Sequence, residues 1–480
     1  MDAPIPYASG HAAAPPPPAP PRRVAMTEGP VGPLLFSATF PLALSLAAMF
    51  GVQLAETWLV GLLGHEALAS LGFAAPIAMT ATSFGIGLGA GASAVVARGL
   101  GAGDPGVPRL SAHTLWLAAA TAAAVAVPGW LLAPTLLGAL GAEGKVLALA
   151  QAYLRAWFPG AVPLVTGIVA LSLVRAAGDT RFQGAALAGA VAFAFLLDWP
   201  LAFGVPGVLP GFGVAGLAVA AALSWCGMLA LALRRLRRLG LLDRLAAPAD
   251  GFAASARRVL RVGLPAAATN AIIPVATTLF TALLAVHGTS AVAGFSVGSR
   301  VEALALVAFF ALSAVTNPFA AQNAGAGRMD RVGAGMRGAL AFCAAFGAAA
   351  ALPLWLLSPL LPRLFTGDAA VAASASLYLS LMPWGFGAVG AIAVASAAFN
   401  GLERPLPALA LSLARTLALG VPAAWLGGRL FGEAGTLLGI LLTNLVVGAA
   451  ASMWVLRATA PAAAATLPPA THREARRHAA

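Results

Sequence analysis

The chain has 480 residues, 60% of them hydrophobic and 9% charged, with a mean hydropathy of +0.89. Ordinary globular chains are roughly 45–50% apolar and about 25% charged, so a soluble protein is excluded. The two cysteines, Cys226 and Cys343, lie in apolar runs and build no disulfide framework, and the formal net charge of +12 turns on where the basic residues sit.

In chain order, residues 1–32 are rich in Ala and Pro, including Pro15 to Pro18, Pro20 and Pro21. They read as a disordered cytoplasmic tail without the apolar core of a signal peptide. Hydrophobic spans follow at 34–63, 67–97, 110–141, 146–174, 184–206 and 211–233, then at 259–286, 290–321, 338–362, 369–399, 405–428 and 434–456. Each is long enough to cross the ~30 Å hydrocarbon core of a bilayer. The expected fold is all-α and polytopic, with twelve transmembrane helices. An N-lobe covers 33–240 with helices 1–6, a basic linker 241–258, and a C-lobe 259–457 with helices 7–12. Residues 458–480 form a second tail. The function must lie within the bilayer.

The basic residues are sorted by side. Twenty-two lie in the tails or at the even-numbered span ends, in clusters such as Arg234 to Arg238, Arg257 to Arg261 and Arg473 to Arg477. The opposite side has Lys145, Arg363 and Arg429, and Arg155, Arg300 and Arg415 fall inside spans. The positive-inside rule puts both termini in the cytoplasm of an inner-membrane, multi-pass protein. Membrane insertion therefore accounts for the basic excess, and no nucleic-acid partner is expected.

The chain also aligns with itself. A shift of 224 places Pro41 on Pro265, Gly64 on Gly288, and Gly101-Ala-Gly103 on Gly325-Ala-Gly327. Beyond span four the register reads as 223, with Gly178 on Gly401 and Arg181 on Arg404. Six spans per half return the chain to the same side, so the halves are parallel repeats about an axis along the membrane normal, with a cavity between them.

At these motifs the chain resembles a known family. Pro41, Glu56-Thr-Trp-Leu-Val-Gly-Leu-Leu-Gly64, Val96-Ala-Arg-Gly-Leu-Gly-Ala-Gly-Asp104, Arg175-Ala-Ala-Gly-Asp179 and Leu197-Asp198-Trp-Pro200 look like the N-terminal lobe of the multidrug and toxic compound extrusion (MATE) transporters, of the prokaryotic DinF/NorM-like kind. Ala293-Gly-Phe-Ser-Val-Gly-Ser-Arg300-Val-Glu302, Ala321-Gln-Asn-Ala-Gly-Ala-Gly327 and Phe399-Asn-Gly401 resemble the C-terminal half. The resemblance spans residues 33–457. It implies a V-shaped antiporter that exports cationic, amphiphilic compounds in exchange for protons or sodium ions.

An ionisable side chain left in lipid costs at least ~2.5–3.5 kcal/mol, so the intramembrane acids Glu56, Asp198 and Glu302 are functional candidates. Ser45, Met49, Gln53 and Glu56 recur at helical spacing, which turns one polar face of the first span inward. Asp198 precedes Pro200, which frees a backbone carbonyl. In the family, an acid on helix one and another on helix five form the N-lobe cation site, and here they match Glu56 and Asp198. Two departures bear on the ion: the first acid is usually aspartate, and the asparagine usually found four residues before the second acid is Ala194 here. Losing that amide removes a sodium ligand, and withdrawal from water disfavours a charged carboxylate, which suits a proton carrier. H+ is therefore the favoured coupling ion and Na+ the alternative, with no cofactor and no metal site. Met49, Gln53, Thr57, Tyr153 and Asn270 are candidates for the substrate cavity. Pro41 is the candidate hinge, since some family members are thought to bend there.

In the second half, Arg300 and Glu302 stand two positions apart and cannot pair on one helix face. Glu302 is expected to meet Arg415 in a structural contact. Gly294-Phe-Ser296-Val-Gly298 matches a hydrolase pattern but opens a membrane helix, so no enzyme is expected. The glycines Gly85, Gly87, Gly89 and Gly91 read as a helix-packing stripe. The alternative function is a lipid-linked oligosaccharide flippase of the same superfamily, which would line its cavity with several arginines, whereas Arg155, Arg300 and Arg415 are few and scattered. The expected partners are small organic cations and membrane lipids, with the chain acting as a monomer.

Overall fold

The computed structural model describes residues 26–242 and 251–460. The first half holds α1 (Val31–Leu62), α2 (His65–Gly101), α3 (Val107–Ala139), α4 (Gly144–Ala176), α5 (Thr180–Phe203) and α6 (Val214–Arg238). A hairpin of two-residue strands, β1 (Gly204–Val205) with β2 (Leu209–Pro210), joins α5 to α6. The second half holds α7 (Phe252–Ala285), α8 (Thr289–Gly325), α9 (Met329–Leu357) and α10 (Ala369–Gly401). The helical stretch Pro405–Ala458 is two helices, α11 (405–430) and α12 (433–458). They meet where Phe431 and Gly432 leave helical geometry, Gly432 at φ +62°. Among the described residues there are thus twelve long apolar helices, the all-α polytopic fold expected.

The repeat is visible in the backbone. Gly64 and Gly288, at φ +107° and +114°, open α2 and α8 with the same left-handed turn, a conformation glycine adopts without a Cβ clash. In each half one helix is surrounded by its neighbours: α4 packs on α2, α3 and α6, and α10 on α8, α9 and α12. Beyond the fourth helix the structural register is 225 rather than 223. Asp179 and Arg404 are the equivalent residues before α5 and α11, with ψ of 69° and 70°. Gly178 (φ +88°) then corresponds to Glu403 (φ +58°). The matched Gly-x-x-Arg letters suggested the shorter offset, but the turn geometry sets the longer one.

The lobes touch at the arginine-rich end. There α2 packs on α7 and α8, and α1 on α8. The contact is reciprocal about the pseudo-two-fold axis: a Cβ on Gly101 would strike the Gln322 carbonyl, and one on Gly325 would strike the Arg98 carbonyl. Gly87 and Gly91 admit Ala267 and Gly263 of α7, while Gly85 and Gly89 face Val165 and Ser172 of α4, so the glycine stripe serves two interfaces. Arg98 of α2 also lies 3.9 Å from Glu403, which receives Arg258 at 3.3 Å. Further from this end, Trp58 on α1 and Ile273 and Val275 on α7 are exposed.

Two expected boundaries move. The linker is shorter than 241–258, because α7 is helical from Phe252; its arginines prolong the helix beyond the apolar run. At the N-terminus, α1 starts at Val31, and Met26 is buried at 2% exposure, so 26–32 belong to the folded unit rather than to a tail. Residues 1–25, 243–250 and 461–480 lie outside the described residues.

A side chain at position 101 cannot coexist with the α2/α8 contact. Gly101→Leu is expected to speed thiol labelling of a reporter cysteine at buried Ala321 at least ten-fold, in a Cys226→Ser, Cys343→Ala background; labelling as slow as in the parent would show that this contact does not close the interface.

Candidate ion and substrate site

Three helices of the first half bring their polar residues together. Glu56 comes from α1, Tyr153 from α4 and Asp198 from α5, near enough for each carboxylate's charge to act on Tyr153 and for that of Glu56 to act on Asp198. The surroundings are apolar: Leu59, Val60, Ala202, Val214 and Leu217 form a buried cluster against which Tyr153 and Phe195 pack. Asp198 is buried at 3% exposure and Glu56 is half-buried. Among the described residues neither carboxylate has a hydrogen-bond or ion-pair partner, and no arginine or lysine acts on either of them. A carboxylate so placed is costly to keep charged without a cation beside it, which makes the two acids candidates for a cation or proton site.

The local sequence explains the arrangement. Pro41 lies within α1 without breaking it; its carbonyl accepts the Ser45 hydroxyl at 2.9 Å, and Ser45 meets Gly184 of α5 where the missing side chain lets the two helices close. That contact sets α1 beside α5, so Glu56 and Asp198 approach one another further along. Pro200 lies within α5 two residues after Asp198. Ala194, where family members carry asparagine, is buried and offers no ligand.

The cavity candidates divide by face. Leu42 of α1 and Ala311 of α8 share an apolar cluster at the arginine-rich end. Gln53 lies eleven residues on from Leu42, and Arg300 eleven residues back from Ala311. Eleven residues are about three turns, or roughly 16 Å, so both return to the face on which the helices touch, at a level where the helices no longer do. Gln53, Thr57 and Arg300 are exposed there and Met49 is half-buried. Thr57 donates its hydroxyl to the Gln53 carbonyl at 2.9 Å. Asn270 on α7 is half-buried and donates to its own helix at the Ala266 carbonyl, 2.9 Å away.

Comparison with known proteins decides the family. The MatE family model matches twice, at residues 41–203 and 265–426, so its two matches begin 224 residues apart. The chain belongs to the MATE family. It is therefore a membrane transporter and not an enzyme. An FAD transporter of Shewanella oneidensis is 32% identical over 446 residues, covering 92% of this chain and 98% of that protein. A probable multidrug resistance protein NorM of Geobacillus kaustophilus is 26% identical over 355 residues, covering 72% and 76%. Among solved structures, the Vibrio cholerae MATE transporter VcmN in the bent form superposes with a TM-score of 0.84 at 27% identity, covering 89% of this chain and 98% of that one. An outward-facing multidrug resistance MATE transporter shares the fold at a TM-score of 0.84, with 23% identity and coverage of 92% and 99%.

In the second MATE repeat the expected Glu302–Arg415 pair is not formed as a salt bridge. Glu302 accepts the hydroxyl of Tyr378 on α10, and Arg415 donates through Nε to Asn444 Oδ1 of α12 at 2.8 Å, each charge remaining within reach of the other. A one-turn π-helix over Ala414–Ala418 carries Arg415. Spacing on separate helices could not reveal that Tyr378 and Asn444 would intercede. Arg300 points away from this network, and among the described residues it has no hydrogen-bond or ion-pair partner. The hydrolase-like glycines are packing positions: Gly294 sits on Ser374 and Gly298 on the Tyr378 ring.

Removing the hydroxyl of half-buried Tyr153 beside two acids leaves the packing intact. Tyr153→Phe is expected to preserve Tm within about 2 °C while changing transport at least five-fold; unchanged transport in a reconstituted assay would exclude Tyr153 from the site.

Proposed function

We propose that this MATE transporter is a secondary antiporter that exports cationic or amphiphilic compounds in exchange for protons, with Glu56 and Asp198 as the shared binding site. The observation that carries the reading is the unpartnered carboxylate pair in an apolar pocket of the first lobe. Two acids without a basic neighbour attract either an organic cation or protons, and protonation removes the charge that would hold the cation. Reciprocal linkage makes each ligand weaken the other by the same factor, which is the thermodynamic content of antiport. Sodium is the alternative ion. Protons are favoured because Ala194 supplies no oxygen, and among the described residues no group of three or more His, Cys, Asp or Glu surrounds a cation position. The basic excess at one end supports an inner-membrane orientation with both termini cytoplasmic.

A second reading is favoured by the FAD transporter of Shewanella oneidensis and by Arg300. A flavin dinucleotide carries a pyrophosphate, and an unpaired arginine on the cleft face would attract it. The two readings differ in the sign of linkage. Cation binding should weaken as pH falls and the carboxylates protonate; dinucleotide binding should strengthen, because the repelling charges disappear.

The test is transport in proteoliposomes of a fluorescent organic cation and, separately, of FAD, under an imposed proton or sodium gradient. A proton gradient alone is expected to drive cation efflux, and Glu56→Gln and Asp198→Asn are each expected to abolish coupled transport while still folding. Sodium-driven efflux would replace the ion and keep the residues; full coupling in both variants would overturn the site. For the second reading, Arg300→Gln should reduce FAD transport at least ten-fold and leave cation transport within two-fold.

A further inference from the structure

Residues 26–29, which lead into α1, occupy a receptor built by the other lobe. Met26 N–H donates to Gln322 Oε1 at 2.9 Å, and the Met26 carbonyl accepts from Asn323 Nδ2 at 3.1 Å. The Thr27 carbonyl accepts from Arg328 at 2.8 Å. The Glu28 and Gly29 carbonyls accept from the Arg331 guanidinium at 3.1 and 2.7 Å. Four consecutive carbonyls are thus taken by side chains of α8 and α9 and of the turn between them. Arg331 is itself buried at 9% exposure, and its Nε is held by Asn323 Oδ1 at 3.0 Å, so its orientation is fixed from within the second lobe. Gln322 also donates to the Ala176 carbonyl at the end of α4, 2.6 Å away, and so bridges two parts of the first lobe.

The Met26 side chain completes the wedge. It lies in one apolar cluster with Leu35 and Leu42 of α1 and with Val315 and Phe319 of α8. Only Pro30 separates the bound Gly29 from the first residue of α1, which leaves no slack. The pseudo-symmetric segment, at the start of α7, lies on the first lobe by different means: Phe252 packs edge-on against His113, and Ser255 meets His113 Nδ1 at 3.0 Å. Among the described residues the polar receptor is on the second lobe: the first lobe has Arg98, Gly99 and Val107 at the positions equivalent to Gln322, Asn323 and Arg331.

We infer that Met26–Gly29 is a strap that latches the arginine-rich end shut, holding the molecule with its cleft open at the opposite end until the strap leaves the Gln322, Asn323 and Arg331 receptor. Moving α1 away from α8 breaks these bonds together and strips the buried Arg331 guanidinium of its strap carbonyls, leaving it Asn323 Oδ1, so the closed end is favoured while the strap is seated. The inference stands whatever the cargo.

The experiment uses the full chain in lipid nanodiscs with Cys226→Ser and Cys343→Ala, and spin labels on cysteines at His65 and Thr289, the exposed first residues of α2 and α8 at the open mouth. Deleting residues 1–29 and, separately, Arg331→Lys are compared with deletion of residues 1–25, which keeps the strap. The first two are expected to lower the ratio of long to short label distances at least ten-fold, with the 1–25 deletion matching the parent. An unchanged distribution in the 1–29 deletion, or an equal shift in the 1–25 deletion, would overturn the inference. If Arg331→Lys does not fold, the two deletions decide it alone.

Discussion

The close approach of α2 and α8, glycine against carbonyl on both sides of the pseudo-two-fold axis, is the constraint from which the rest of the molecule follows. It fixes which end of the two lobes is shut. Because α1 and α7 ride on the partners of these helices, closing one end obliges their outer halves to diverge, and the divergent faces are those that carry Gln53, Thr57 and Arg300. A cleft is therefore the geometric complement of a helix contact. The carboxylates of the first lobe sit beside that cleft because Gly184 draws α5 against α1 near Pro41.

The two lobes share a backbone plan but divide the chemistry unequally. The first concentrates two acids without a counter-charge, an unstable arrangement in a low-dielectric site unless a cation or proton joins it. The second confines its buried charges in two hydrogen-bonded pairs, Glu302 with Tyr378 and Arg415 with Asn444. One lobe thus leaves its buried charge uncompensated and the other surrounds its charges with hydrogen-bond partners, and both arrangements hang on the same six-helix frame.

Much of this was legible in the sequence because bilayer physics writes strong signals. Twelve apolar runs, the sidedness of the arginines and the 224-residue offset gave the helices, the lobes and the axis between them. Glu56 and Asp198 stood out because charge is rare in such spans. What escaped were contacts among residues with ordinary reasons to be where they are. Arg331 looked like one more basic residue at a membrane boundary, and α9 begins nine residues before its apolar run. Glu403 looked like a loop acid, although its backbone occupies the position where the first repeat uses Gly178. The Glu302 network depends on which helix faces which, and that is decided by tertiary packing rather than by spacing along any one helix.

The unlike leaders of α1 and α7 bear on ancestry. Two identical copies of either half could reproduce the axis and the reciprocal glycine contacts. They could not reproduce this end of the molecule: a pair of first halves would offer leaders without Asn323 and Arg331 to receive them. In a single chain the repeats are free to differ, and here the second lobe is host to the leader of the first.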